Sequence, residues 1–523
     1  MSVALNPLTL DVTYAVAGRR FQATVLGLTA GSTLEVLADG TPGFGSSNGR
    51  VYIDRMPGSS TPATIVLRES KAGETPRESR IDISVDGIAL GAAGLAATNT
   101  ATGDLASLDK LFRNMQRALD SNPYDLPNYG SGPSAGLTAP TLTWEAAPTG
   151  LTQQRLMNDA AGNDWAAFYG GIPSQISGSA YGFPVVTSTA GAVSGAGGRA
   201  GVAWAVETET NADKISFRVL NSQAIQFRVL VDGQFVGRTP AKMDNVVPGS
   251  PQHLTVAFAS GASAKPRRIR YESELNGDFR AIYLATTHRI IKPEPVDFVR
   301  SAWIGDSYTA FATNAGSVNS FAHDNYPSIT HRLLGVHDGN NLGVAGTGFA
   351  SDNVSLGLRY SSRMNDLALL QARPGGVDMV VLQGSINDRD KSPATIQSEA
   401  SAVIAQARAI VGAGKPIIVL GVAPGALGAS AYTVAAGVLA AEQALIAAVA
   451  AANDPLVAFV PLSTATPTPV LAGDNATGTA SLYTQTDLIH PTFGASVPGV
   501  GGMEYLARAA AKGIRAAITA MRR

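Results

Sequence analysis

Residues 298–307 read Phe298-Val299-Arg300-Ser301-Ala302-Trp303-Ile304-Gly305-Asp306-Ser307. The first seven form a largely apolar run of strand length that follows the breakers Pro293 and Pro295 and ends in a small polar turn. Similar runs recur at Met379 to Leu382, Pro416 to Leu420 and Leu456 to Val460, with helical patterning near 320–334, 394–412, 433–452 and 502–520. Strand, loop and helix in alternation predict a three-layer α/β domain over 296–523, a parallel sheet with helices on both faces. In open sheets of this kind ligands bind beyond the carboxyl ends of the strands, and Gly305-Asp306-Ser307 falls at such an end.

Upstream the pattern changes. Residues 7–90 alternate at period two, as in Leu8, Leu10 and Val12 and again in Ile81, Ile83 and Val85, which predicts a small N-terminal antiparallel β domain over 1–95. Residues 96–175 contain one expected helix, with Leu108, Leu111, Met115 and Leu119 on one face, in a Gly/Ser/Pro-rich stretch read as a connector with little core of its own. Alternation returns over 176–295, where Asp232-Gly233 suits a tight hairpin turn, and predicts a jelly-roll-like β-sandwich. That module reads equally well as a spacer and as a carbohydrate-facing surface.

Composition narrows the function classes. Charged residues are 15% of the chain, below the roughly 25% of an average soluble protein, and glycine is abundant at 56 residues. With a formal net charge of −1 and no long basic run, no nucleic-acid partner is expected. Lys265, Arg267, Arg268 and Arg270 cluster, and strand alternation makes them an expected solvated face. The absence of cysteine excludes disulfides, thiolate nucleophiles and Cys-based zinc sites. No apolar stretch reaches the length of a membrane span, and Pro7 and Asp11 interrupt any secretory signal, so any export is expected by another route.

Four short stretches carry chemistry, in chain order: Gly305-Asp306-Ser307, Asn341 to Gly346, Asn387-Asp388 and Asp487 to Pro491. Ser307 is the candidate nucleophile, although alone such a serine reads as a helix N-cap. His490 is the candidate base, with Asp487 three residues before it, a spacing that lets a carboxylate reach the imidazole Nδ1. Backbone N–H groups of Ser307 and Gly346 and the side-chain amide of Asn387 are candidate oxyanion donors, although Gly346 and Asn387 also suit ordinary turns. His253, His288, His323, His331 and His337 lack this context and are read as surface or helix residues. No cofactor and no metal are expected.

These stretches resemble the SGNH (GDSL-type) hydrolase superfamily, whose four blocks supply Ser, Gly, Asn and His in this order. The resemblance covers about 296–523 and implies a flavodoxin-like fold with Ser307, Asp487 and His490 catalytic and Ser307, Gly346 and Asn387 forming the oxyanion hole. Tyr308 stands where the name motif has Leu and is expected to shape the pocket and touch substrate. The third block, usually Gly-x-Asn-Asp, here reads Gly384-Ser385-Ile386-Asn387-Asp388, so Ser385 occupies the usual Gly position or the turn is one residue longer. A β-sandwich ahead of such a domain, with its closing segment from Arg268 to Glu272, is similar to two-domain carbohydrate acetylesterases. The implied reaction is removal of acetyl groups from a polysaccharide or surface glycan. The alternatives are a lipid or aryl esterase, or thioesterase, acting on longer acyl chains. The overall layout also resembles bacteriophage tail proteins, which would imply a virion-associated homotrimer, acting as an esterase or mainly as an adhesion protein.

Overall fold

The computed structural model describes the backbone of seven strands between residues 9 and 83, and then residues 106–522 apart from 132–136, 157–164, 171–173, 178–179, 183–202, 222–225, 243–251, 260–265, 274–276, 296, 311–320, 354–357, 426, 429–432, 475, 486, 488 and 494–500. Part of the expected Gly/Ser-rich connector and Leu488 of the fourth stretch lie outside the described residues.

Apolar runs become strands where neighbouring runs satisfy their backbone hydrogen bonds. In the C-terminal half these are β1 (Arg300–Ile304), β2 (Asp338–Asn341), β3 (Met379–Gly384), β4 (Ile417–Val422) and β5 (Val457–Val460). They pair in parallel in the order β2-β1-β3-β4-β5. β1, β3 and β4 are buried along their whole length, so their sequences are continuous rather than alternating. β2 was not legible beforehand because it reads Asp-Gly-Asn-Asn. Its Asp338 is held by polar contacts instead: the carboxylate accepts from Arg300 Nε at 2.8 Å and Arg373 Nη1 at 3.1 Å.

The helices are α1 (Ala106–Ser121), α2 (Ser307–Ala310), α3 (Tyr326–Leu333), α4 (Met364–Gln371), α5 (Pro393–Val411), α6 (Ala436–Ala452), α7 (Gly478–Tyr483) and α8 (Gly502–Met521). α5 shows how its limits are set: Ser392 Oγ accepts from Thr395 N at 3.1 Å, Pro393 opens the first turn, and Gly412 at φ 83° ends it. α1, α3 and α8 pack together, and α4, α5 and α6 form a second layer. Glu442 of α6 is fully buried and accepts from the backbone N–H groups of Val422, Leu462, Ser463 and Thr464. One carboxylate thereby fixes the loops that leave β4 and β5 on the side of the sheet where ligands bind.

The connector reading of 96–175 needs correction. α1 has no core of its own because its apolar face is spent on the α/β domain: Leu108, Leu111 and Met115 are buried in the same cluster as Trp303, Leu333 and Ile518. Leu119, expected on that face, is 52% exposed, and Ala118 takes the inward place. Further along, Thr141–Glu145, Thr152–Leu156 and Ala167–Tyr169 are strands of the next module.

That module consists of two antiparallel sheets. One centres on Trp204–Thr210, Arg267–Ser273 and Gln226–Val231, the other on Gly277–Leu284, Lys214–Asn221 and Gln252–Ala257. Inward residues of both share one core, with Phe217 stacked on Tyr271 at 5.7 Å between centroids. Asp232 and Gly233, at φ 50° and 83°, form the expected hairpin turn. The basic cluster is not a solvated face among its described members. Arg267 is buried, Arg268 donates to Glu207, and Arg270 donates to Glu272.

The two-sheet module joins the α/β domain in one compact unit. Their seam centres on buried Glu272, which accepts from Arg228, Arg270 and Arg332 and lies beside His323. Despite burial, these cations hold its carboxyl well below the usual range. The N-terminal unit is separate and contains two antiparallel sheets. One runs in the order Thr9–Val16, Arg20–Leu26, Arg50–Asp54, Phe44–Ser47, and the other consists of Thr33–Ala38, Ala63–Ser70 and Arg77–Ile83.

If α1 belongs to the α/β core, Leu111→Ala will lower unfolding free energy by about 2–5 kcal/mol, read as a shift of the urea midpoint. A side chain on a coreless connector would leave the midpoint unchanged.

Candidate active site

β1 ends at Ile304, and the chain turns into α2 at once. Gly305 is needed here for room rather than for a left-handed turn, since a Cβ would collide with the Thr309 hydroxyl and the Gln383 carboxamide. Asp306 is the N-cap: its Oδ1 accepts from Tyr308 N at 3.0 Å and its carbonyl from Ala310 N at 2.8 Å. Ser307 therefore occupies the first helical position, not the cap. Its backbone N–H has no acceptor within the helix.

The Ser307 hydroxyl lies 2.7 Å from His490 Nε2. On the other side of the ring, His490 Nδ1 hydrogen-bonds Asp487 Oδ2. The second oxygen, Oδ1, accepts from Ile489 N and His490 N, each at 3.0 Å, so the three-residue spacing works as a closed local turn. Against the cost of burial, the His490 ring and these two N–H groups hold the Asp487 carboxyl below its ordinary value. Gln485 buttresses the turn from outside, with its N–H on the His490 carbonyl at 2.7 Å. Ser307 is 7% exposed, and the His490 and Asp487 side chains are 19% and 23% exposed, so the three form a shallow, reachable line.

Tyr308 departs from expectation. It is fully buried, which removes it from the substrate surface. Its hydroxyl donates to the Ile489 carbonyl at 2.6 Å and its ring lies 5.6 Å from that of His490. The tyrosine thus ties the serine turn to the histidine turn from below.

The candidate oxyanion donors come from adjoining loops. Gly346 has φ 72°, a left-handed conformation that favours glycine. Next to it, the Thr347 carbonyl accepts from Asn387 Nδ2 at 3.0 Å and lies 2.8 Å from Ser385 Oγ, which brings the Gly346 turn against Asn387. Asn341, at the start of the same stretch, anchors the loop to α2 by donating from Nδ2 to the Thr309 carbonyl at 2.6 Å.

Two buried carboxylates that the motif reading left without a role organise these loops. Asp306 Oδ2 accepts from Ser385 Oγ at 2.8 Å and Ile386 N at 3.3 Å, and Gln383 Nε2 donates to its Oδ1 at 3.3 Å. Asp388 accepts from Phe349 N at 2.9 Å and Ala350 N at 3.2 Å. Gly348 has no room for a side chain because Asp388 fills the space. The only sequence signal for either role was an acid beside a catalytic candidate in each motif.

Burial pushes the Asp306 carboxyl up to about 6, against the opposing bonds from Ser385, Tyr308 and Ile386 and the charge of His490. Burial also raises Asp388. A carboxyl raised on folding costs stability when ionised, so the cost from Asp306 is present at neutral pH and fades as pH falls below about 6. Such a cost fits a site arranged for chemistry.

The remaining histidines stand apart from this line. Of the histidines read as surface or helix residues, His331 lies on α3 and His323 in the helical turn Ala322–Asp324, and burial lowers His323, His331 and His337 to about 4, 3 and 3. His323 Nε2 lies 2.8 and 3.0 Å from the Trp204 and Ser273 carbonyls, which assigns its proton there, and His331 Nε2 pairs with Ser301 Oγ at 2.7 Å. Among the described residues, no group of three or more His, Asp or Glu side chains is arranged to hold a metal.

Residues 303–493, the stretch that carries this line of serine, histidine and aspartate, match one family model, the GDSL-like lipase/acylhydrolase family. Residues 303–493 are a GDSL/SGNH acylhydrolase domain. Among solved structures, a salicylyl-acyltransferase from a tetracycline biosynthetic pathway matches 71% of this chain and 98% of its own at TM-score 0.50 and 12% identity. An acetyl xylan esterase from the rumen bacterium Butyrivibrio proteoclasticus matches 70% and 97% at TM-score 0.45 and 14% identity. A family two carbohydrate esterase from Clostridium thermocellum, solved with cellohexaose, matches 61% and 92% at TM-score 0.42 and 17% identity. At such identities the likeness is one of fold. No curated protein sequence matches the chain. Among the described residues of the acylhydrolase domain and the rest of the chain, no helix is long and apolar enough to cross a membrane.

Tyr308→Phe removes the bond to Ile489 and leaves the ring in place. A hydrogen bond worth about 0.5–1.5 kcal/mol predicts a fall in kcat of about 2- to 10-fold, measured on a chromogenic ester. An unchanged kcat would remove this tyrosine from the positioning of His490.

Proposed function

We propose that the protein is a serine esterase that removes short acyl groups, acetyl foremost, from hydroxyls of a polysaccharide or surface glycan. The observation that carries the reading is the line Ser307 Oγ, His490, Asp487, with 2.7 Å between the hydroxyl and Nε2. Ester hydrolysis as the class is supported by the family match over 303–493.

In the proposed cycle, Ser307 Oγ attacks the ester carbonyl while its proton passes to His490 Nε2. Asp487 accepts from Nδ1, fixing the tautomer and stabilising the imidazolium. Negative charge collects on the former carbonyl oxygen, where the N–H groups of Ser307 and Gly346 and the Asn387 amide would donate. Collapse breaks the bond to the alcohol, which takes the proton back from His490. Water then attacks the acyl-enzyme with His490 again as base, releasing the carboxylic acid and restoring Ser307. The partly exposed triad supports access by a bulky alcohol such as a glycan. The choice of glycan acetyl rests further on the resemblance to two-domain carbohydrate acetylesterases.

Ser307→Ala is expected to lower kcat on p-nitrophenyl acetate by at least about 10⁴-fold, and full retention would end the mechanism. Across p-nitrophenyl esters of rising chain length, activity should peak at acetyl. A maximum at octanoyl or beyond favours the longer-chain lipid or thioester reading. On acetylated bacterial polysaccharides and xylans, released acetate measured against the Ser307→Ala control tests the glycan half.

A further inference from the structure

Ser385 stands at a motif position where the family usually has glycine, and its side chain is 99% buried between the two catalytic loops. Its hydroxyl has four hydrogen-bond partners, Asp306 Oδ2 at 2.8 Å, the Thr347 carbonyl at 2.8 Å, Asn387 N at 3.1 Å and Asn387 Nδ2 at 3.2 Å, with the Tyr360 hydroxyl beside it. We propose that Ser385 is a positioning residue of the oxyanion hole, its hydroxyl held by the Asp306 carboxylate so that its lone pairs fix the Asn387 amide and the turn that carries it. This rests on the reading of Asn387 as an oxyanion donor.

The donor count decides the direction of the chain. A hydroxyl has one proton and two lone pairs. Of the four neighbours two can only donate, Asn387 N and Nδ2, and they consume the lone pairs. The proton then goes to Asp306 or to Thr347, and an ionised carboxylate is the stronger acceptor. The Thr347 carbonyl is already served by Asn387 Nδ2 at 3.0 Å. The ionised carboxylate is thus the favoured acceptor, and the chain runs Asn387 to Ser385, Ser385 to Asp306.

Two consequences follow for the amide. First, Thr347 and Ser385 both accept from Nδ2, so the carboxamide is held with nitrogen, not oxygen, toward this side. Second, the longer of the two contacts, to an oxygen that also serves Asn387 N, is the weaker. It is the one a developing oxyanion can take over at least cost, while Thr347 keeps the amide oriented. The Asn387 N–H bond to Ser385 also caps the 3₁₀ turn Ile386–Asp388, so the backbone beneath the amide is fixed by the same oxygen.

Protonation of Asp306 reverses the chain. Its new O–H donates to Ser385 Oγ, the serine proton turns to Thr347, and one lone pair is lost to Asn387. The groups facing Asp306 are Ser385, Ile386 and Gln383 from the third motif, Tyr308 from its own turn, the hydroxyls of Tyr326 and Tyr360, and the charge of His490. Among the bonds that oppose its raised value, that from Ser385 is the largest, so loss of the hydroxyl moves Asp306 further above about 6.

The test uses the full chain with Ser385→Ala and, as second variant, Ser385→Gly, which supplies the usual family residue. Circular dichroism checks that each is folded, and if one is not, the other decides. With p-nitrophenyl acetate, kcat is expected to fall about tenfold, less than the 10²- to 10³-fold of a lost oxyanion donor, with KM within about twofold. The acid-side fall of kcat/KM should move to higher pH, an effect that loss of a turn cap alone would not produce. Ser385→Thr, which keeps the hydroxyl, should restore both. Wild-type kcat in a folded variant overturns the proposal, as does a rise confined to KM. A kcat loss with an unmoved acid limb overturns the link to Asp306. If Ser307→Ala retains activity, the esterase reading falls; if it is inactive while the Ser385 variants equal wild type, only the positioning role falls.

Discussion

The Asp306 carboxylate is the interaction on which the site depends. It caps α2 and so places Ser307, and it reaches across to Ser385 and Ile386 and so places the turn bearing Asn387. Both jobs need an acceptor, and an ionised carboxylate is the side chain that accepts only. Burial makes ionisation costly, as the raised carboxyl shows. The surrounding donors are therefore a condition of its charge as well as a use of it. Remove one and the others are weakened, because each helps to keep the same proton away.

What was legible in the sequence follows from the range of each interaction. Strands buried on both faces announce themselves by continuous apolar runs, so β1, β3, β4 and β5 were read with small errors at their ends. β2 was not, because its place is fixed by Asp338 meeting Arg300 and Arg373, residues with no local pattern. The contact of His490 with Asp487 spans three residues and could be anticipated from spacing. The bond from Ser385 to Asp306 spans 79 residues and could not. Tyr308 was misjudged for a related reason: a residue beside a nucleophile has two directions open to it, and only the fold shows that its hydroxyl reaches Ile489.

The seam between the two-sheet module and the acylhydrolase domain joins apolar packing, with Leu230 and Phe235 buried in the α/β core cluster, to a buried ionic centre. Arg228, Arg270 and Arg332 converge on Glu272, with Tyr124 donating to Asp324 at 3.1 Å nearby. Buried ion pairs of this kind add little net stability relative to apolar packing, since desolvation offsets the attraction. They are demanding about geometry, however, because a displaced partner leaves a buried charge unpaired. Three neutral histidines in the same region, held by carbonyl, hydroxyl or backbone partners, add to that demand.

The path of the chain gives α1 a further meaning. The polypeptide contributes a helix to the acylhydrolase core, leaves to build two sheets, and returns at β1 to complete that core. In topological terms the two-sheet module is an insertion, tethered at both ends to a single body. A module hung from one linker can swing, be lost, or be exchanged by a single recombination between neighbouring genes. One moored at two points is held by both ends, since α1 and β1 are each fixed in the same core. Its motion is thereby coupled to that of the domain it joins.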